Sequence, residues 1–154
     1  MIDRLDDQQI DLVLKRHHIG RVGCYIDGRP YIVPVTYVYE DGYVYGRSDE
    51  GMKIKAMRQH PVVCFEVEDI DDMRSWRSVI AWGSFEELHD SAADRAFDLL
   101  VRRLAPHASS RTFLEAGEAS YGDYRSHGIQ VPSRRGVIYR IHLTERTGRF
   151  EKHE

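Results

Sequence analysis

Cysteine is scarce: 154 residues hold two, Cys24 and Cys64. Both fall in strand-like runs and read as buried thiols, not as a disulfide or a metal pair. No apolar run approaches the ~20 residues that span a bilayer. The net charge is −3, with acidic and basic residues mixed along the chain. A basic block that would point to nucleic acid is missing. The opening residues, Met1 to Asp7, are acidic and do not form a signal peptide. These features lead us to expect a soluble, cytoplasmic protein with neither a nucleic-acid nor a membrane partner.

Catalytic signatures are missing as well. The eight histidines include no His-Glu-x-x-His and no His/Cys cluster at ligand spacing, so no metal is expected. His17 and His18 are neighbours that point apart on a helix. Gly-x-Ser-x-Gly elbows, Gly-x-Gly-x-x-Gly turns and Walker loops do not occur. A hydrolase, a metalloenzyme and a Rossmann or P-loop nucleotide site are thereby disfavoured. A bound organic cofactor that brings its own reactivity fits better. No repeat, linker or low-complexity segment divides residues 1–154, and we expect one domain.

What is present is strand and turn chemistry. Asp7 is the expected N-cap of a short helix in which Ile10, Val13 and Leu14 share a face, with Gly20 as its stop. Strands follow at Arg21–Ile26 and Tyr31–Tyr39, joined by Asp27-Gly28, and at Tyr43–Arg47 after the hairpin signal Asp41-Gly42. Pro34 has no N–H and argues for an edge, a bulge or an opened ladder. An opened ladder would free backbone groups of Val35, Thr36 and Tyr37. Ser48-Asp49 can cap a helix to about Gln59, whose start suits an anion. Lys53 lies in its first turn, where the helix dipole disfavours a cation, and a bound phosphate would account for it.

Further on, Val62–Val67 is a strand, Glu68–Asp72 an acidic loop without the pattern of a calcium site. Arg77–Leu88 is a long strand with a bulge or bend expected at Gly83. Asp90 or Ser91 caps a helix through Leu104 with Ala93, Phe97, Leu100, Val101 and Leu104 as its apolar stripe. Pro106–Arg135 reads as loops and short helical turns, and Gly136–Thr144 as the last strand. The expected fold is mainly β with flanking helices: a six-stranded antiparallel sheet closed into a barrel.

The runs Gly20-Arg-Val-Gly23, Asp27 to Tyr37, Tyr43-Val-Tyr-Gly-Arg-Ser48 and Gly51-Met-Lys53 resemble the pyridoxamine 5′-phosphate oxidase-like superfamily. Within it, the nitroimidazole-resistance-type flavin-binding proteins are most similar. His60 to Val67 and Ser78 to Gly83 continue in the family's order, so the resemblance covers about residues 18 to 90.

It implies a split β-barrel that forms a homodimer, with FMN in the groove between subunits. Carried over by motif, the cofactor-binding residues are Val35 and Thr36 on the strand at the flavin ring, Arg47 and Ser48, Met52 and Lys53 at the helix start, and Ser78 and Trp82 from the partner chain or across the seam. Many relatives carry a histidine where this chain has Arg47. The forked donors of an arginine suit a phosphate. The implied activity is oxidoreduction, from a reduced nicotinamide to a small-molecule substrate, and no residue is singled out as catalytic. Alternatives are a non-catalytic FMN-binding or sensing module, or the same barrel holding haem or a deazaflavin.

Overall fold

The computed structural model describes residues 1–107 and 134–153. Strand β1 (Ile2–Arg4) precedes helix α1 (Asp7–Arg16), and strands β2 (Ile19–Ile26), β3 (Arg29–Glu40) and β4 (Tyr43–Ser48) follow. Helix α2 (Met52–Gln59) leads to β5 (Val62–Asp72) and β6 (Ser75–Leu88). Helix α3 (Asp90–Leu104), a 3₁₀ turn (Ala105–His107) and β7 (Val137–Glu151) complete the order.

All pairings are antiparallel. The sheet runs β1-β7-β4-β3-β2-β5-β6, and β7 also pairs with β6. The six strands from β2 to β7 therefore form the expected ring, and the unforeseen β1 lies beside the end of β7. The ring is split. β3 pairs with β2 from Arg29 to Thr36, but with β4 only from Tyr37 to Glu40.

Both tight hairpins follow from their Asp-Gly pairs. Asp27 and Gly28 have φ of 51° and 75°, Asp41 and Gly42 49° and 84°. Two left-handed residues match the twist of the flanking strands, and glycine adopts that backbone without a steric penalty.

Inside the ring, Val22, Tyr37, Val44, Phe65, Val79, Ala81, Tyr139 and Ile141 form one core. Helix α1 closes it with Ile10, Val13 and Leu14, and α2 contributes Ile54, Ala56 and Met57. Helix α3 lies outside the barrel. Leu99, Leu100 and Leu104 cover Val38, while Ala93 and Ala96 pack with Leu88 and Ile138.

Several expected boundaries move. The N-cap of α1 is Asp6, not Asp7. Asp6 accepts from the Gln9 N–H and the Gln9 side chain accepts from the Asp6 N–H, both at 2.8 Å, a reciprocal capping box. Gly20 does not stop that helix: it is buried in β2, where a Cβ would stand 2.6 Å from the Phe65 ring. Glu68–Asp72 is not a loop but continues β5 opposite Ser75–Ser78. Two of its carboxylates are matched there: Arg21 meets Glu68, and Arg16 and Arg77 meet Asp69.

The α3 N-cap is His89, with no side-chain cap bond. Its buried stripe includes Ala96 and Leu99, with Phe97 and Val101 half-buried. The expected irregularity at Gly83 is present as a register shift between Trp82 and Gly83 against β7. β7 itself runs seven residues past Thr144. Residues 108–133, where loops and short helical turns were expected, lie outside the described residues.

Candidate functional site

Strand β3 changes partner at the split, and Asp49, Glu50 and Gly51 separate the end of β4 from the start of helix α2. The Tyr37 N–H donates to the His18 carbonyl at 2.8 Å, toward β2. Peptide groups alternate in direction along a strand, so Val35 also faces β2, whereas Pro34 and Thr36 face away from it, Thr36 toward β4, whose pairing begins at Tyr37↔Gly46. The ladder from β2 to β3 is unbroken through Arg21↔Pro34. Pro34 therefore sits where its missing N–H interrupts nothing. Of the three residues expected to offer backbone groups, Val35 and Tyr37 face β2, and only Thr36 faces away from it. The side chains of Val35 and Tyr37 are buried in the core.

Beyond the split, β4 ends in Arg47 and Ser48 and the chain turns through Asp49 and Glu50 into α2. The expected Ser48-Asp49 cap does not form. Gly51 occupies the N-cap position and no side chain caps the helix. Ser48 is buried, and its hydroxyl donates to the Asp49 carbonyl at 2.8 Å. The Arg47 guanidinium donates through Nε to the Arg135 carbonyl at 2.5 Å and through Nη2 to the Asp49 carboxylate at 2.6 Å. It lies against Gly136, where a Cβ would stand 2.6 Å from the Ser48 carbonyl and 3.0 Å from the guanidinium. Gly136 has φ 89°, so both backbone and space require glycine there.

Lys53 stands in the first turn of α2, half-buried. Burial pushes its ammonium pKa down; Asp49 offsets part of that and Arg47 adds to it. Among the described residues it makes no hydrogen bond or ion pair. Met52 beside it is 59% exposed. A desolvated ammonium and an uncapped helix start thus coincide in the first turn of α2, and an anionic ligand would supply what each lacks. The residues fit a flavin nucleotide. Arg58 fastens the corner, bonding Glu50 of the turn and Glu87 of β6 at 2.8–2.9 Å.

Ser78 and Trp82 are not part of this corner within one chain. They lie on β6, with β2 and β5 between them and β3 on one side and β7 on the other. They belong to an outer face that α3 leaves uncovered. Register aligns Ile32, Gly23, Cys64 and Trp82 in one row across four strands, and Pro34, Arg21, Glu66 and Ile80 in the next. Ile32 is 70% exposed and Trp82 38%.

A second cleft, of about 380 Å³, lies under α1 and is lined by Asp11, Lys15, Tyr39, Asp41, Gly42, Leu143 and Arg146. Its polar groups largely satisfy one another: Tyr39 donates to Asp11 at 2.8 Å, and Arg146 bonds both. Burial pushes the Asp11 carboxyl up, but these two hydrogen bonds outweigh it and hold the group below its usual range.

Sequence reading took Asp49 for part of a helix cap and missed its ion pair with Arg47, the packing of Gly136 and the Glu50–Arg58–Glu87 clasp. The ion pair was legible in principle, because residues i and i+2 at a strand end share a face. The other contacts join positions far apart in the chain and leave no local trace.

Among the described residues, no helix is long and apolar enough to cross a membrane, and no group of three or more His, Cys, Asp or Glu could hold a metal. A split antiparallel barrel of six strands with flanking helices defines the class. The family model for pyridoxamine 5′-phosphate oxidase matches residues 6–150, and the chain belongs to that family. A Rhizobium meliloti protein, RA0666, uncharacterised, is 37% identical over 70 residues, 46% of each chain. The match thus spans about half the length of that relative. The crystal structure of an FAD-binding protein from Mesorhizobium loti superposes with a TM-score of 0.71 at 28% identity, covering 99% of this chain and 98% of that one. A protein assigned to 5-nitroimidazole antibiotic resistance in Bacteroides thetaiotaomicron superposes at 0.68 with 20% identity, covering 97% and 87%, and shares the fold.

Proposed function

We propose that this chain is a flavoprotein that holds FMN at the split of the barrel. The phosphate would lie at Lys53 and the start of α2, with Arg47 and Ser48 behind it. The flavin ring would lie along β3 at Thr36. The observation that carries this reading is Lys53, a half-buried ammonium without a hydrogen bond or ion pair among the described residues. Membership of the family supports it. FAD is the second reading, favoured by the FAD-binding protein of Mesorhizobium loti. Both nucleotides place a phosphate on the same side of the flavin ring.

The site is completed, in our reading, by a second copy of the chain. The uncovered outer face, with Ile32, Ile80 and Trp82 exposed on it, would meet its counterpart and bring the partner's Ser78 and Trp82 to the flavin. A flavin bound there supplies hydride and electron transfer. The chain's own residues position it: Thr36 offers backbone groups, and Lys53 offers charge. The role we infer is an oxidoreductase taking electrons from a reduced nicotinamide to a small-molecule acceptor in the cytoplasm. The two free thiols accord with that compartment.

The test is the visible spectrum of protein purified without added cofactor, with the chromophore then released by heat and identified. Released FMN supports the reading, and FAD favours the second. A haem or deazaflavin spectrum, or a colourless protein that fails to bind added flavin, refutes it. Reduction of the bound flavin by NADH or NADPH, followed by reoxidation by an acceptor, separates an enzyme from a binding module.

A further inference from the structure

Two cations stand at the corner, and they are not equivalent. Arg47 is largely buried, its side chain 16% exposed, and it is wedged against Gly136 with donors committed to Asp49 and to the Arg135 carbonyl. Lys53 has neither kind of commitment among the described residues. The Asp49 side chain is 49% exposed. The guanidinium is fixed by its packing, and the carboxylate is the partner that can turn away into water.

An incoming phosphate would therefore meet Lys53 with its charge uncompensated by any direct contact, and Arg47 with its charge already matched. Asp49 holds the Nη2 donor of the guanidinium, and a phosphate oxygen that takes that donor displaces it. Carboxylate and phosphate oxygens compete for a guanidinium donor of this kind.

We propose that Asp49 is a specificity-determining residue of this corner: it competes with the ligand's phosphate for Arg47, and so sets how strongly the chain prefers a phosphorylated ligand over the same ligand without phosphate. The inference rests on the phosphate reading given above. Asp49 weakens binding of the anion and leaves the flavin ring's contacts untouched, because the ring lies along β3 and not at Asp49. It also keeps the corner from gathering unrelated anions.

The experiment compares FMN with riboflavin, which lacks the phosphate, by fluorescence-quenching titration of the full chain. Wild type, Asp49→Asn, Asp49→Ser and Asp49→Glu are measured, and thermal unfolding checks that each is folded. Removing the charge is expected to tighten FMN about fivefold, the scale of one partly exposed ion pair, with riboflavin affinity unchanged. Asp49→Glu is expected to keep the wild-type preference. Using two neutral variants keeps the answer independent of how either one folds. An FMN preference that is unchanged or lowered in the neutral variants, or raised equally by Asp49→Glu, overturns the role of Asp49. A wild type that binds FMN and riboflavin equally would instead remove the phosphate from this corner altogether.

Discussion

The phenol of Tyr37 donates to the main-chain oxygen of Leu14 at 2.8 Å, within the core. Leu14 lies in the last turn of α1, whose carbonyls have no partner within the helix. The bond therefore caps α1 and ties it to the strand that changes partner at the split. Burial pushes the Tyr37 phenol well above its usual range, so it remains a donor at all physiological pH.

Tyr37→Phe keeps the ring and strands that carbonyl. The expected loss of stability is about 1–2 kcal/mol, the cost of leaving one buried acceptor unpaired. Urea unfolding would measure it. A midpoint equal to wild type would mean that water replaces the phenol and that the bond is dispensable.

Lys53→Ala should weaken FMN binding by about 1.5–3 kcal/mol, the range for a hydrogen bond to a charged group. Riboflavin binding should change little. Calorimetric titration of both ligands distinguishes the outcomes, and an equal loss for the two would assign Lys53 to the folding of α2 instead of the phosphate.

Trp82→Glu places a charge on the outer face that α3 leaves uncovered. A charge that must lose its water opposes association, so the variant is expected to sediment as a monomer where the wild type sediments as a dimer. Flavin affinity should fall with it. Wild-type protein that is monomeric with flavin bound would rule out the shared groove.

Glu66 lies beside Glu68 on β5 and shares Arg21 with it, at 3.3 Å for Glu66 and 2.8 Å for Glu68. Burial, with Glu68 next, pushes the Glu66 carboxyl up to about 7, while Glu68 is held low. An acid that binds its proton more tightly folded than unfolded stabilises the fold while protonated. That contribution is complete below the unfolded carboxylate range and is lost as pH rises through about 7. Glu68 acts in the opposite sense, losing its contribution as pH falls into the acid range. Melting temperatures from about pH 5 to pH 8 should therefore decline at the Glu66 step, and Glu66→Gln should flatten the decline. An identical slope in the variant would mean that Glu66 stays ionised throughout.

The ring and its turns were legible in the sequence because they rest on local chemistry. Asp27-Gly28, Asp41-Gly42 and the alternating valines and tyrosines act within a few residues. Glu68–Asp72 was misread because acidic runs usually mark solvated turns, and here the neutralising arginines come from Arg16, Arg21 and Arg77 on other elements. Gly20 looked like a helix stop and is a packing glycine, since Phe65 lies 45 positions away in the chain. Lys53 stood out in the sequence from its conflict with the helix dipole. Its relation to Asp49 depends on the absence of a cap that the sequence seemed to offer.

The fifteen residues of β7 pair with β1, β4 and β6, so every strand before it is synthesised while the barrel still has two raw edges. As the nascent chain leaves the ribosome, β4 and β6 each display an unpaired row of peptide groups until Val137–Glu151 emerges to stitch them together. Exposed edges of that kind recruit other chains. This chain's vulnerable moment is therefore its own synthesis, and a holdase chaperone or slow translation past β6 would change its yield without touching the finished protein.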